Sequence, residues 1–380
     1  MNPPSRPDPS PSPTVVRCNS PADFLASLPV LLGYVPENSI VLTLFEGSQA
    51  KSAARFDLPR TDVPLESTQL DRAMLELLEQ HTWVSGAALV VYCSDSFANQ
   101  PGAPHALLAM WLERALEMHG TPVRELACIA SDGWAVYRSP AANNGGRSLT
   151  EIAHSRFVRR KGLKGVPAPE RLRELGSLPR PQQKLASALK QALGRHQEMT
   201  PSTLTVAHTQ AMLQHCHDAL SAGLSPGTAQ ETASFVHACA ELETWLTPVL
   251  LIAAGGVGES FTVDDTLAQT FLEFIHNDAK TTRPMVTKRL KLFSSERLEP
   301  SQLRATVHTL TVVAAHTPDA LRPGVLALAA WAWWMGGMTT PAVTLLREAA
   351  AIDANHASVI IVRELCESGP PLWAFTDETR

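Results

Sequence analysis

No two cysteines in this 380-residue chain are spaced as CxxC; the six, at 18, 93, 128, 216, 239 and 366, are scattered. That pattern fits reduced core thiols in a cytoplasm better than a disulfide framework. No apolar core follows a basic start, so no secretory leader is expected. The longest apolar runs, such as 325–335, fall short of the roughly 20 residues that a membrane span requires. No glycine-rich phosphate loop follows a strand-like run, and neither GxSxG nor HExxH occurs. The usual signatures of dinucleotide or P-loop binding, of α/β-hydrolase catalysis and of zinc proteases are therefore absent. Charged residues are somewhat scarce at 18%, and a net charge of −5 argues against a generally basic nucleic-acid binder. What is present is an ordinary apolar fraction of 44%, in a chain long enough for two domains with a core each. Residues 1–17, rich in proline and serine, are expected to be a disordered tail.

Residues 18–59 organise the rest. Ser20 followed by Pro21 reads as an N-cap with proline at the first helical position, where its missing N–H is not needed. Asp23 in the first turn faces the positive end of the helix dipole. Phe24, Leu25, Leu28, Leu31 and Leu32 recur at helical spacing, and Gly33 supplies a left-handed stop. Pro29 inside that run predicts a kink or two short helices. Pro36 to Ser39 reads as a turn, and Ile40 to Phe45 as a strand buried on both faces. Residues 51–58 give a more polar second strand ending at Pro59, completing a hairpin.

These same residues carry a resemblance. Ser20-Pro21-Ala22-Asp23-Phe24-Leu25, Leu28-Pro29, Leu31-Leu32-Gly33-Tyr34, Pro36, Asn38-Ser39-Ile40-Val41 and Arg55-Phe56-Asp57-Leu58-Pro59 resemble the opening of the bacterial domain of unknown function 4192 family. The similarity continues through Asp132-Gly133-Trp134 to the region of Trp334, Gly336 and Asp353. The resemblance implies a cytoplasmic bacterial protein and brings no assigned activity. Many relatives carry a cysteine-rich segment after the counterpart of Tyr137; here Arg138 to Gly146 contains no cysteine, so no metal or redox role is carried over.

Farther along, Thr68 and Asp71 suit the start of a helix with Leu70, Ala73, Met74, Leu77 and Leu78 inward. Residues 87–92 read as a buried strand. Pro104 opens a helix with Leu108, Trp111, Leu112 and Ala115 inward and Gly120 as its stop. Residues 125–130 form the next strand, and Ser131-Asp132-Gly133 turns it into a partner at 134–138. Two strand–helix–strand crossovers then make three strands parallel, flanked by antiparallel hairpin strands. An α/β domain over 18–147 follows, with a mixed, mostly parallel sheet and flanking helices. Beyond 148 only helix-like segments occur, near 148–161, 168–176, 181–196, 203–221, 227–253, 263–278, 284–294, 299–315, 319–335, 340–352 and 356–368. Residues 148–380 are therefore expected to be all-helical, with one tetratricopeptide-like hairpin around Gly336-Gly337.

Parallel strands present their C-terminal ends together, and open α/β sheets bind ligands at that end. Glu37, Asn38, Ser39, Asp57, Ser94, Asp95, Ser96, Ser131 and Asp132 would gather there. Carboxylates and hydroxyls in such a set suit a small polar molecule or a hard cation such as Mg²⁺, although Asp, Asn and Ser also simply end strands and cap helices. No cofactor or metal site is assigned. Other groupings are His208, His215, Cys216, His217, His237 and Cys239, with ligand types suited to zinc. A basic set, Arg156, Arg159, Arg160, Lys161, Lys164, Lys288, Arg289 and Lys291, suits phosphate contact or a solvated face. Of Trp331, Trp333 and Trp334, at least one ring should point away from the local core, towards the α/β domain or a partner. Neither Cys93 nor Cys128 has a histidine nearby in sequence, so no nucleophile–base pair is assigned. The expected role is a non-catalytic binding or regulatory module, in contact with a protein partner or a second copy through its helical half. A metal-assisted hydrolase or phosphotransferase using Asp57, Asp95 and Asp132 is one alternative, and nucleic-acid association the other.

Overall fold

In the computed structural model, residues 18–59, 64–79, 81–159, 170–171, 174–195, 205–256, 261–276, 283–295, 298, 300–369 and 371 are described. The proline- and serine-rich residues 1–17 lie outside them. The chain divides into two compact units, Met1–Leu172 and Arg173–Arg380.

The first unit runs α1 (Pro21–Leu32), β1 (Tyr34–Val35), β2 (Ser39–Glu46), β3 (Gln49–Asp57), α2 (Pro64–Glu79), β4 (Gly86–Tyr92), α3 (Ala106–Met118), β5 (Val123–Ile129), β6 (Trp134–Val136), α4 (Thr150–Ala153) and β7 (Glu170–Arg171). Helix α1 starts where Ser20 Oγ accepts the Asp23 N–H, and stops where Gly33 turns left-handed at φ +81°. It is one helix through Pro29, which lies in its last turn and whose missing N–H removes a single internal hydrogen bond. Helix α2 begins at Pro64, so Thr68 and Asp71 lie within it instead of opening it.

The main sheet has the order β3-β2-β4-β5-β6. β2 is antiparallel to both β3 and β4, β4 is parallel to β5, and β5 is antiparallel to β6. The sheet is mixed, but mostly antiparallel where a mostly parallel one was expected. The crossover through α2 skips over β2, so β3 and β4 run the same way without touching. Directions therefore survive although neighbours do not: β3, β4 and β5 all end at one edge, and β2 begins there. Apolar side chains alternate between the two faces. Ile40, Leu42, Leu89, Val91 and Leu126 pack with Leu70, Met74 and Leu78 of α2 and Ala109, Leu112 and Leu116 of α3. Val41, Val90, Tyr92 and Ala127 pack with Leu25 and Leu28 of α1 and with Trp134.

Helix α3 turns differently from its expected phase. Trp111 is 37% exposed, with Leu107 and Met110 also outward, because the buried stripe is Ala109, Leu112 and Leu116. An open groove of about 460 Å³ results, lined by Leu75, Trp111, Arg114 and Met118 among others.

This unit continues past the expected limit at 147. The Phe157 N–H donates to Asp23 Oδ1 over 2.9 Å, and β7 pairs in parallel with β1, Tyr34 opposite Glu170. The segment from 168 to 176, expected as a helix, instead contributes β7 and a turn at 174–176. Two residues of pairing in a proline-rich stretch leave no periodicity to read.

The described elements of the second unit are all helices: α5 (Gln183–Leu193), α6 (Val206–Ala222), α7 (Ala229–Ala238), α8 (Leu242–Ala253), α9 (Asp265–His276), α10 (Arg283–Phe293), α11 (Pro300–His316), α12 (Arg322–Met335), α13 (Thr339–Ile352) and α14 (Ala357–Glu367). The run expected at 227–253 is two helices, α7 and α8, bent by 117°. Among the described residues no single helix is long and apolar enough to cross a membrane. Helix α12 lies at the centre, packed by α13, α11, α14, α7 and α8. A Cβ on Gly324 would lie 1.8 Å from the Cys239 carbonyl oxygen, so only glycine lets α12 approach the end of α7 this closely. Trp331 and Trp334 are fully buried, and Trp333 is half-buried against the same core, although at least one of the three rings was expected to point away from it.

Candidate functional site

One register row crosses the end of the main sheet: Asp57 opposite Ser39, Ser39 opposite Tyr92, Tyr92 opposite Ile129, Ile129 opposite Trp134. The loops leaving β3, β4 and β5 and the turn entering β2 therefore share a rim. Asn38, left-handed at φ +45°, ties three of these segments together. Its Oδ1 accepts the Ser94 N–H at 3.1 Å and its carbonyl accepts the Leu58 N–H at 3.0 Å. Ser39 Oγ donates to the Glu37 carbonyl at 2.6 Å and accepts from Arg55 Nε at 2.7 Å. Arg55 Nη2 reaches Asp57 Oδ1 at 2.5 Å. Glu37, Asn38, Ser39 and Asp57 thus form one connected patch at the β2–β3 side.

The β4–β5 side is locked separately. The Asp132 carboxylate accepts the Ser96 hydroxyl at 2.7 Å, the Phe97 N–H at 2.9 Å and the Ala98 N–H at 3.2 Å. These bonds, the Ser96 hydroxyl's first and the Phe97 N–H's next, hold its carboxyl below the usual carboxylate range. The Asp95 carbonyl accepts both the N–H and the hydroxyl of Ser131, at 2.9 and 3.0 Å. The Asp95 side chain turns the other way, and its Oδ2 lies 2.9 Å from His105 Nε2. His105 precedes α3 in the left-handed conformation, φ +56°, rare for a residue with a Cβ.

Cys93 completes this corner. Its sulfur, an Asp95 carboxylate oxygen and a His105 ring nitrogen all lie within 4.8 Å of one another. Burial pushes the Cys93 thiol up to about 11. On β5, burial raises Cys128 to about 12, with a hydrogen bond to Tyr137 lowering it in part. The Tyr137 hydroxyl itself donates to the Pro104 carbonyl at 2.6 Å, which anchors the residue before His105.

The rim therefore holds the expected residues in two patches, not one. Asp57 is two strand spacings from the β4 end, about 10 Å. The three aspartates each have their own partner: Arg55 for Asp57, His105 for Asp95, and the Ser96–Ala98 turn for Asp132. Among the described residues the one group of metal-ligating type is Cys93, Asp95 and His105, which includes neither Asp57 nor Asp132. Sequence reasoning missed Cys93 and His105 as site residues and assigned Cys93 no histidine. Sequence spacing carries no signal for this meeting, because His105 lies twelve residues beyond Cys93 and its left-handed backbone sets where the ring lies.

The other groupings disperse. Cys216 and Cys239 are buried and disulfide-free, and burial holds both thiols well above their ordinary range. His208 Nδ1 pairs with the Thr205 hydroxyl at 2.9 Å and His217 Nδ1 with the Gly256 carbonyl at 3.1 Å. In the basic set, Arg156, Arg159, Lys288 and Lys291 are exposed and Arg289 is half-buried, while Arg160, Lys161 and Lys164 lie outside the described residues.

The fold and this rim define a class: an α/β unit with a polar sheet end, followed by a helical unit. The family model for the domain of unknown function DUF4192 matches residues 21–371, and the chain belongs to that family. No curated protein and no solved structure matches the chain.

Proposed function

We propose that the chain is a non-catalytic binding module whose sheet end recognises a small polar ligand. The observation that carries this reading is the pre-formed rim: Asn38, Asp95, Ser96, Ser131 and Asp132 clamp the turn into β2 and the loops after β4 and β5 to each other. A site fixed in advance spends little binding energy on ordering itself. Ser94, Asp95, Ser131 and Asp132 are exposed on it and offer hydroxyl and carboxylate groups to a ligand. The shifts at the rim run against acid–base or thiol catalysis. Asp132 is held ionised by its hydrogen bonds, and Cys93 is held as a neutral thiol by burial.

The helical unit supplies the partner-contacting role in this reading. We take α12 and α13, joined through Gly336-Gly337, as a single tetratricopeptide-like hairpin. Its support is the buried face made by Trp331, Ala342, Leu345, Leu346 and Ala349. A hairpin of this kind offers partners the surface that its neighbours leave uncovered.

The test is a thermal-shift screen of the metal-stripped full chain, with EDTA present, against nucleotides, sugar phosphates, amino acids and polyols. At a hundredfold excess over its dissociation constant, a true ligand adds about 2.7 kcal/mol of stability. At least one class should raise the midpoint, and the Ser94→Ala/Ser131→Ala variant should lose that rise. A screen with no rise, or one that the double variant leaves unchanged, overturns the reading.

A further inference from the structure

We propose that Cys93, Asp95 and His105 form a binding site for a single transition-metal ion of the zinc type, with a fourth position open to water or a ligand. This goes beyond the binding reading and does not depend on it. The three donor atoms lie within 4.8 Å of one another. A metal about 2.0–2.3 Å from each would hold them about 3.5 Å apart, so side-chain rotations alone close the site.

The backbone under each ligand is already fixed. The Cys93 N–H donates to the Ile129 carbonyl at 3.0 Å, which continues the β4–β5 ladder one residue past the strand. The Asp95 carbonyl is held by Ser131, and the His105 carbonyl accepts the Ala109 N–H at 3.0 Å as the first bond of α3. The ligands thus come from a strand end, a braced loop and a helix mouth. Sites built on rigid elements keep their geometry without the metal.

The donor set chooses the ion. A thiolate, an imidazole and a carboxylate suit Zn²⁺ and its relatives, whereas Mg²⁺ and Ca²⁺ prefer oxygen alone. His105 Nε2 and Asp95 Oδ2 lie 2.9 Å apart, within hydrogen-bond distance. A metal would replace that direct contact, with His105 binding through Nε2 as the neutral ring. A neutral imidazole then keeps its proton on Nδ1, and the thiol proton leaves to water as sulfur binds. Asp95 is exposed while Cys93 and His105 are half-buried, so the fourth position faces solvent. Three protein ligands with one open position are the arrangement that lets a metal hold an exogenous group.

Cobalt(II) titration of the reduced, metal-stripped full chain reads the site directly. The expected result is a thiolate-to-cobalt charge-transfer band with the visible bands of tetrahedral cobalt, saturating at one equivalent and abolished by zinc. Cys93→Ser should remove the charge-transfer band, and Cys18→Ser should leave it. His105→Asn, which tolerates the left-handed backbone, should weaken cobalt binding by at least about tenfold. Circular dichroism of the metal-free variants checks the fold, and either variant alone suffices if the other does not fold. Absence of the band in the wild type, its survival in Cys93→Ser, or equal affinity in His105→Asn overturns the proposal.

Discussion

The two compact units contain the same reactive residue types and place them in opposite settings. In the helical unit Cys216, Cys239 and Cys366 are buried, and His217, His316 and His356 each bond to a backbone carbonyl, His356 to that of Ala240 at 3.1 Å. In the α/β unit Cys93, Asp95 and His105 meet at the end of a sheet, half-buried or exposed, with their side chains turned on one another. A helix distributes its residues around an axis, so spacing along it mostly decides core against surface. A sheet end collects loops from distant parts of the chain, so it can assemble chemistry. Both units fill an apolar interior, and the α/β unit adds hydrogen bonds that close its sheet-end loops.

The largest effect that would sharpen this contrast is Trp331→Ala in the centre of α12. Removing a fully buried indole should cost about 3–5 kcal/mol. Amide exchange should speed up in α11–α14, with cobalt binding at Cys93 unchanged; loss of cobalt binding as well would break the comparison.

Asp23→Ala should come next, at about 2 kcal/mol, because it leaves the N–H groups of Asn19 and Phe157 without their acceptor. Exchange should accelerate around residues 150–159 and in α1, while the helical unit holds.

A smaller effect is pH-dependent. Asp132 is held below its ordinary value of 3.8, mainly by the Ser96 hydroxyl. Asp23 is lowered too: burial, its largest single influence, would raise it, but the N–H groups of Phe157 and Asn19 and the Ser20 hydroxyl together outweigh burial. The folded state therefore binds these protons less readily than the unfolded chain. The stability they contribute is present above the ordinary carboxylate value and is lost as pH falls through the depressed ones. Unfolding midpoints of the wild type should drop on acidification from about pH 5 to about pH 3, and Asp132→Asn should flatten part of that drop. A variant with an unchanged acid slope would contradict the role given to the Ser96–Ala98 turn.

Smallest of all is Asp57→Ala. Its side chain is 87% exposed against a 10% exposed Arg55 that Ser39 also holds, so solvent screening leaves about 0.5 kcal/mol or less. A larger loss, insensitive to salt, would mean that the β2–β3 side of the rim is as tightly built as the β4–β5 side.

Much of the first unit was legible because its signals are local. Ser20, Pro21 and Gly33 bracket α1, and the short, largely apolar runs of β2 and β4, bounded by turn residues, read as buried strands. The shared direction of β3, β4 and β5 followed from the connections between them. The position of β2 between β3 and β4 did not, since an apolar run does not say which neighbours cover its edges. β7 was invisible for a different reason: its two residues owe their pairing to Tyr34 and Val35, far away in sequence. At the site, Asp95, Ser131 and Asp132 were legible as strand-end polar residues. His105 was not, because its left-handed backbone aims the ring back at a loop that sequence spacing cannot locate.

Cysteine labelling, mapped by mass spectrometry with and without zinc, tests the central claim most directly. The account predicts that Cys18 and Cys93 are modified in the folded, metal-free protein, that Cys216 and Cys239 are not, and that zinc protects Cys93 alone. Protection of a thiol in the helical unit, or labelling of Cys93 that zinc leaves unchanged, would contradict it.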